Sequence, residues 1–206
     1  MRTAKVDTET RRGQLAQAAL RLIAADGLKG LSVARVARRV GLVPSAVYRH
    51  FANKDELLAA VLDLVRSRLQ ANVMAASGQT PDALECLPRL LMGQAELIRE
   101  NEGILRVIFS EELHNGHPDR KARVREMVTG YLKRLTEIIA RGQQEGSIRA
   151  DVDPTTVSIL FMGLIQPAVI LWHLTAGNFD ITRHAEKVWT ISCEAFRTRE
   201  KNLAIK

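Results

Sequence analysis

Apolar residues recur every three or four positions along most of this chain, and no stretch shows the alternation expected of a strand. Leu15, Ala18, Ala19, Leu22 and Ile23 form one stripe, predicting a first helix over roughly 9–25 that Gly27 ends. Ser32 is placed to cap a short second helix over 33–40, with Val33, Val36, Ala37 and Val40 as its buried face. Gly41 then terminates that helix as a left-handed residue would, and Pro44 opens a third over 44–50. Asn53 caps a fourth, reaching to about Ala76, with Leu57, Leu58, Val61, Leu64, Val65 and Leu69 as its apolar positions. The segment 77–82, SGQTPD, reads as a break. Further helices are expected over 82–100, 103–114 and 119–145, the last ending at Gly146. Asp153-Pro154 starts a helix to about 175, and Asp180 caps the final one, to about 200. The expectation is an all-α fold of about nine helices with no sheet.

Aromatics are only 4% of a chain that is 46% apolar, so Leu, Ala, Ile and Val must build the core, which suits helices. The net charge of +7 is unevenly placed: residues 1–55 hold 11 basic and 4 acidic side chains, and residues 56–206 hold 19 of each. A basic module of this kind faces an anion, with nucleic acid ahead of an anionic membrane, or is simply a solvated terminus. Cys86 and Cys193 are far apart and form no CxxC, so neither a disulfide framework nor a zinc site is indicated, and a reducing cytoplasm fits. The start has no apolar leader. The most apolar run, 157–174, is interrupted by Ser158, Gln166, Pro167 and His173 and reads as a helix buried on both sides rather than a membrane span.

Three short helices joined by tight turns make a helix-turn-helix pattern over 33–50, whose second helix lies in the major groove. That helix must bury one face and offer the other. Val47 and Phe51, spaced i and i+4, are the buried pair; Ser45, Ala46 and Arg49 fall opposite, and Tyr48 and His50 flank them. Small, hydroxylated and cationic side chains are what base edges and phosphates require.

The run LSVARVARRVGLVPSAVYRHFANKDELLAAVL, residues 31–62, resembles the TetR-family signature from end to end. Its parts are the glycine turn at Gly41, the Tyr-x-x-Phe ending at Tyr48 and Phe51, and the fourth-helix opening at Lys54, Glu56, Leu57 and Leu58. The resemblance implies that Ser32 and the amides after it touch phosphate, that Ser45, Ala46 and Arg49 face base edges, and that Tyr48, His50 and Lys54 reach the backbone of double-stranded DNA. Arg2, Lys5, Arg11 and Arg12 form either an arm along the DNA or a basic tail. One departure stands out: Val43 occupies the place where the family usually has Ser or Thr, so no hydroxyl is available there to cap the reading helix. The implied layout is a DNA-binding domain at 1–53, helix 4 (about 53–76) as the link, and an effector-binding and dimerisation domain at 54–206.

A helix over 154–175 that is apolar all round needs cover on every side, and a second subunit is the simplest source of it. The resemblance implies a four-helix bundle across a twofold axis, matched to a palindromic operator. The last helix carries Ala185, Val188, Trp189, Ser192 and Phe196 on one stripe, which forms either that seam or an ordinary core. Pro167 should kink the apolar helix and free the carbonyl of Gly163. Candidate lining residues for a hydrophobic effector are Leu91, Gln94, Ile98, Val107, Tyr131, Leu135, Phe161, Ile165, Val169 and Trp172, most of them equally suited to a core. Glu111-x-x-His114, with His117 nearby, has a metal-ligand spacing, but the second copy a di-iron bundle needs is missing. No P-loop, GxGxxG or GxSxG occurs. No cofactor is expected. The leading expectation is a ligand-released repressor; the alternatives are a DNA-binding protein that answers to a protein partner and a helical metalloenzyme.

Overall fold

The computed structural model describes residues 7–108, 110 and 118–198. Among the described residues there are ten α-helices and no strand; one isolated antiparallel bridge pairs Ile148 with Arg197. The order is α1 (Thr8–Asp26), a 3-10 turn (Leu28–Gly30), α2 (Val33–Arg39), α3 (Pro44–Tyr48) and α4 (Lys54–Gln79). There follow α5 (Ala83–Glu100), α6 (Gly103–Ile108), α7 (Pro118–Gln144), α8 (Pro154–Gly163), α9 (Gln166–Leu174) and α10 (Ile181–Phe196).

Helices start where a side-chain oxygen can accept a first-turn amide. Ser32 Oγ accepts from Arg35 N at 3.2 Å, Asn53 Oδ1 from Glu56 N at 2.9 Å, Asp153 Oδ2 from Thr156 N at 2.7 Å and Asp180 Oδ1 from Arg183 N at 2.9 Å. Glu56 reaches back, its Oε2 accepting from Ala52 N at 2.9 Å, so α4 is held from both directions. The turn between α2 and α3 depends on Gly41, whose φ of +69° a side chain would strain.

The chain forms two compact units. The first comprises the described residues up to Arg68 together with Glu100–Met127; the second comprises Leu69–Arg99 and the described residues from Val128 onward. In the first, Leu15, Ala19, Ile23, Val36, Val47, Phe51, Leu57 and Leu58 are buried as one core. Here α6 packs on α1, and Gly103 permits the approach: a Cβ there would fall 2.3 Å from the carbonyl oxygen of Leu20. The start of α7 is tied to α4 by Arg120–Asp55 and by Arg123–Asp63 at 3.8 Å. In the second unit, Leu87, Leu90, Leu91, Leu135, Ile139, Phe161, Ile165 and Val169 are buried. Helices α4 and α7 each run from one unit into the other.

The structure corrects the expected boundaries in five places. The segment 77–79 does not break α4 but continues it to Gln79. Helix α3 ends at Tyr48 and α10 at Phe196, and α6 ends at Ile108 with Ser110 non-helical. The helix expected over 154–175 is two helices rather than one with a kink. Leu164 N bonds Phe161 O at 3.1 Å, closing α8 with a tight turn, and the chain restarts with Pro167 in the first turn of α9. The cause is the missing Pro167 amide, which cannot bond Gly163 O and whose ring crowds that carbonyl.

The stretch Pro154–Leu174 is long and apolar enough to cross a membrane by length and composition, and only 39% of its most apolar part is buried in the chain. It is therefore not covered on both sides by its own chain. Ile159, Leu160, Ile170, Leu171 and Leu174 stand in water, as does Ile191 of α10.

Candidate functional site

The turn between α2 and α3 brings six of the seven candidate DNA contacts onto consecutive short elements, with Lys54 opening α4. Val47 and Phe51 are fully buried, as their spacing requires, and this turns Ser45, Tyr48 and Arg49 outward into solvent. Ala46, His50 and Lys54 are half-buried. Ser32 Oγ accepts the α2 cap bond from Arg35 N, and its O–H remains a donor. Val43 precedes Pro44 in an extended conformation, is 64% exposed and makes no side-chain cap, so α3 starts on the fixed φ of proline instead. His50 turns Nδ1 inward, where it is buried with no hydrogen-bond partner among the described residues.

Helix α3 has only five residues. An isolated helix of that length does not hold itself, so its neighbours must fix it. Arg12 does this at the C-terminal end. Its guanidinium lies 4.3 Å above the centre of the Phe51 ring and donates to the carbonyl oxygen of His50. Arg12 is thus a residue of α1 that clamps the reading helix rather than part of a free arm; Arg11, also in α1, bonds Gln14 at 3.0 Å. Arg2 and Lys5 lie outside the described residues. Sequence reasoning missed the clamp because nothing local links residues so far apart.

Nine of the ten candidate effector residues, Leu91, Gln94, Ile98, Tyr131, Leu135, Phe161, Ile165, Val169 and Trp172, lie buried in the second unit. Val107 is buried in the first. Amid these apolar groups the Tyr131 hydroxyl donates to Gln94 Oε1 at 3.1 Å, and burial pushes the Tyr131 phenol well above its ordinary range. At the α8–α9 break, Leu164 O accepts from His184 Nε2 at 3.1 Å, so the interruption is held by a ring nitrogen from α10.

The stripe on α10 is covered in part by its own chain. Ala185 and Phe196 are buried, and Val188, Trp189 and Ser192 are half-buried. Trp189 stands edge-on to Phe161 at 6.3 Å and tilted to Phe196 at 6.2 Å, an aromatic cluster inside one chain. Glu111, His114 and His117 lie outside the described residues.

A buried Val47–Phe51 pair, an outward polar face and a capped helix on either side define a helix-turn-helix DNA-binding regulator. Residues 15–61 match the model of bacterial regulatory proteins of the tetR family, and residues 66–195 match that of the YsiA-like protein C-terminal region. The chain belongs to the TetR family and is a DNA-binding transcriptional regulator. It is 22% identical over 175 residues to the fatty acid metabolism regulator protein of Bacillus subtilis, covering 85% of this chain and 90% of that one. It is 28% identical over 148 residues to the transcriptional repressor KstR2 of Mycobacterium tuberculosis, covering 70% and 72%. The structure of FadR from Bacillus subtilis in complex with stearoyl-CoA superposes with a TM-score of 0.74 at 20% identity, covering 89% of this chain and 98% of that one. The family comprises transcriptional regulators rather than enzymes, and its members bind operator DNA as dimers.

Proposed function

We propose that this chain is a non-enzymatic repressor of the cytoplasm, released from a palindromic operator by a small hydrophobic effector. Residues 1–53, joined by Lys54 at the start of the linking helix α4, read the DNA, with Ser45, Ala46 and Arg49 on base edges and Ser32, Tyr48, His50 and Lys54 on the backbone. Residues 54–206 bind the effector and a second subunit. The observation that carries the effector reading is the Tyr131–Gln94 hydrogen bond, a polar pair set among buried apolar side chains of the second unit. A few polar groups in an apolar surround are what orient an amphipathic ligand. The B. subtilis relative has fatty acid metabolism in its name, and the FadR structure holds stearoyl-CoA, which favours an acyl or comparably apolar ligand.

For the dimer seam, the exposed apolar face of α8 and α9 with Ile191 supports a twofold contact through that face, leaving the α10 stripe to the subunit's own core. Helix α4 is continuous from the reading head into the second unit, so an effector that tilts it changes the spacing of the two heads. The effector must then bind the splayed state better than the DNA-competent one. Operator affinity measured with and without stearoyl-CoA, and stearoyl-CoA affinity with and without operator, tests this. Each should weaken the other by the same factor, commonly about 5–150-fold for coupled sites. A ligand that binds the chain yet leaves operator affinity unchanged refutes the regulatory role.

A further inference from the structure

Beside the reading head, in the first unit, lies a groove of about 630 Å³ that the DNA-reading scheme does not use. Three guanidiniums line it, Arg21 of α1, Arg39 of α2 and Arg68 of α4, together with Gln17, Val40 and Leu64. Their charge is poorly balanced. Arg68 donates to the neutral amide oxygens of Gln17 and Asn101, not to a carboxylate, and the charge of Arg21 acts against it. Glu100 is the carboxylate whose charge acts on Arg68. The C-terminal end of α2 adds about half a negative charge. Together these fall short of three positive charges, so the groove retains an excess that an anion would neutralise.

The groove is not placed as a DNA track. Arg39 is in the last turn of α2, about 10 Å along the axis from the Ser32 cap where that helix meets the operator. Its chemistry is also that of a pocket rather than a flat phosphate rail: Arg21, Arg39 and Arg68 line one groove, Arg68 held in place by the amides of Gln17 and Asn101, and Val40 and Leu64 supply an apolar wall. We propose that this groove binds a small phosphate-bearing metabolite. Its phosphate groups sit among Arg21, Arg39 and Arg68 and its organic part lies on Leu64 and Val40. The unit that holds the site also holds the reading helix, so such a ligand acts on the head itself.

The test is calorimetric titration of the full chain with inorganic pyrophosphate at fixed ionic strength, on the wild type and on the Arg21→Gln/Arg39→Gln double variant. Arg68 is left intact because it bonds Gln17 and Asn101. Both substituted side chains are exposed, so the variant should fold as the wild type does. The expected result is saturable binding to the wild type that the double variant weakens at least tenfold. Absence of binding, or equal binding by both proteins, overturns the proposal. The same pair is titrated with operator DNA. Operator affinity should be retained, with a salt slope unchanged to within about one contact. A slope shallower by about two would make the groove a DNA-backbone track, and would equally overturn it.

Discussion

Replacing Leu171 by Glu should convert the protein to a folded monomer. Six apolar side chains, Ile159, Leu160, Ile170, Leu171, Leu174 and Ile191, are between 45% and 76% exposed in the single chain. Full burial of such a side chain stabilises by about 1.5–3 kcal/mol, so covering what these leave in water contributes roughly 5–10 kcal/mol per protomer, as an upper estimate. A twofold contact uses the patch on both protomers, doubling that gain against an association cost of about 4–15 kcal/mol. The margin is sufficient for a stable dimer but not for one that tolerates a buried carboxylate. Leu171→Glu strikes once in each protomer, and each unpaired charge in the seam costs several kcal/mol. Dimerisation should weaken by more than about 100-fold. Since Leu171 is already 45% exposed, the monomer should lose little of its own stability. Sedimentation velocity over a concentration series, with circular dichroism to confirm the fold, reads both quantities. Trp189→Glu is the control: it breaks the Phe161–Trp189–Phe196 cluster and should lower the melting temperature of the chain itself. If Leu171→Glu dimerises as tightly as the wild type, the seam is elsewhere.

Arg49→Ala should relax preference at one base position per half-site by about 1–3 kcal/mol, whereas Lys54→Ala should weaken binding to all sequences alike and reduce the salt slope by about one; filter binding on cognate and random DNA separates them. Arg12→Ala removes the ring contact on Phe51 and the bond to His50 O, and should lower the stability of the head by about 1–3 kcal/mol in denaturant titration while operator affinity falls with it. Tyr131 has a folded-state pKa raised above its unfolded value, so it contributes stability that is complete below the ordinary tyrosine value of about 10 and is lost as pH rises beyond it. Tyr131→Phe should remove that alkaline decline, seen by chemical denaturation between neutral pH and pH 11; a decline identical to wild type would place its cause elsewhere.

The reading head was legible because its signals are local. Gly41, Pro44 and Asn53 punctuate at fixed offsets, and Val47 and Phe51 need only helical spacing to share a face. Ser77 and Gly78 look like a break by composition, but α4 runs on through them to Gln79, where buried Ala76 and Thr80 and the Ser77–Cys86 contact hold its end. The seam was the harder case. Helix α10 carries Trp189 and Phe196 on one side and Ile191 on another, and an amphipathic pattern marks what is apolar without saying whether its cover is intrachain. The inward set is chosen by Phe161, which meets Trp189 across a long sequence gap that no periodicity encodes. Arg12 counted among the basic residues of the first quarter, and only the folded chain shows that it is committed to Phe51 and the His50 carbonyl.

Arg12 grips the end of the reading helix by a main-chain oxygen and an aromatic face, and neither belongs to a residue proposed above to meet a base. The side chains at 45, 46 and 49 can therefore be exchanged without loosening the clamp that aims them. Position 50 is different: the clamp takes its carbonyl, but its half-buried ring turns Nδ1 inward and packs against the head. Vocabulary and grammar are separable in this head: a library randomised at those three positions, with Arg12, Val47, His50 and Phe51 held, should return folded proteins with altered operators rather than unfolded ones.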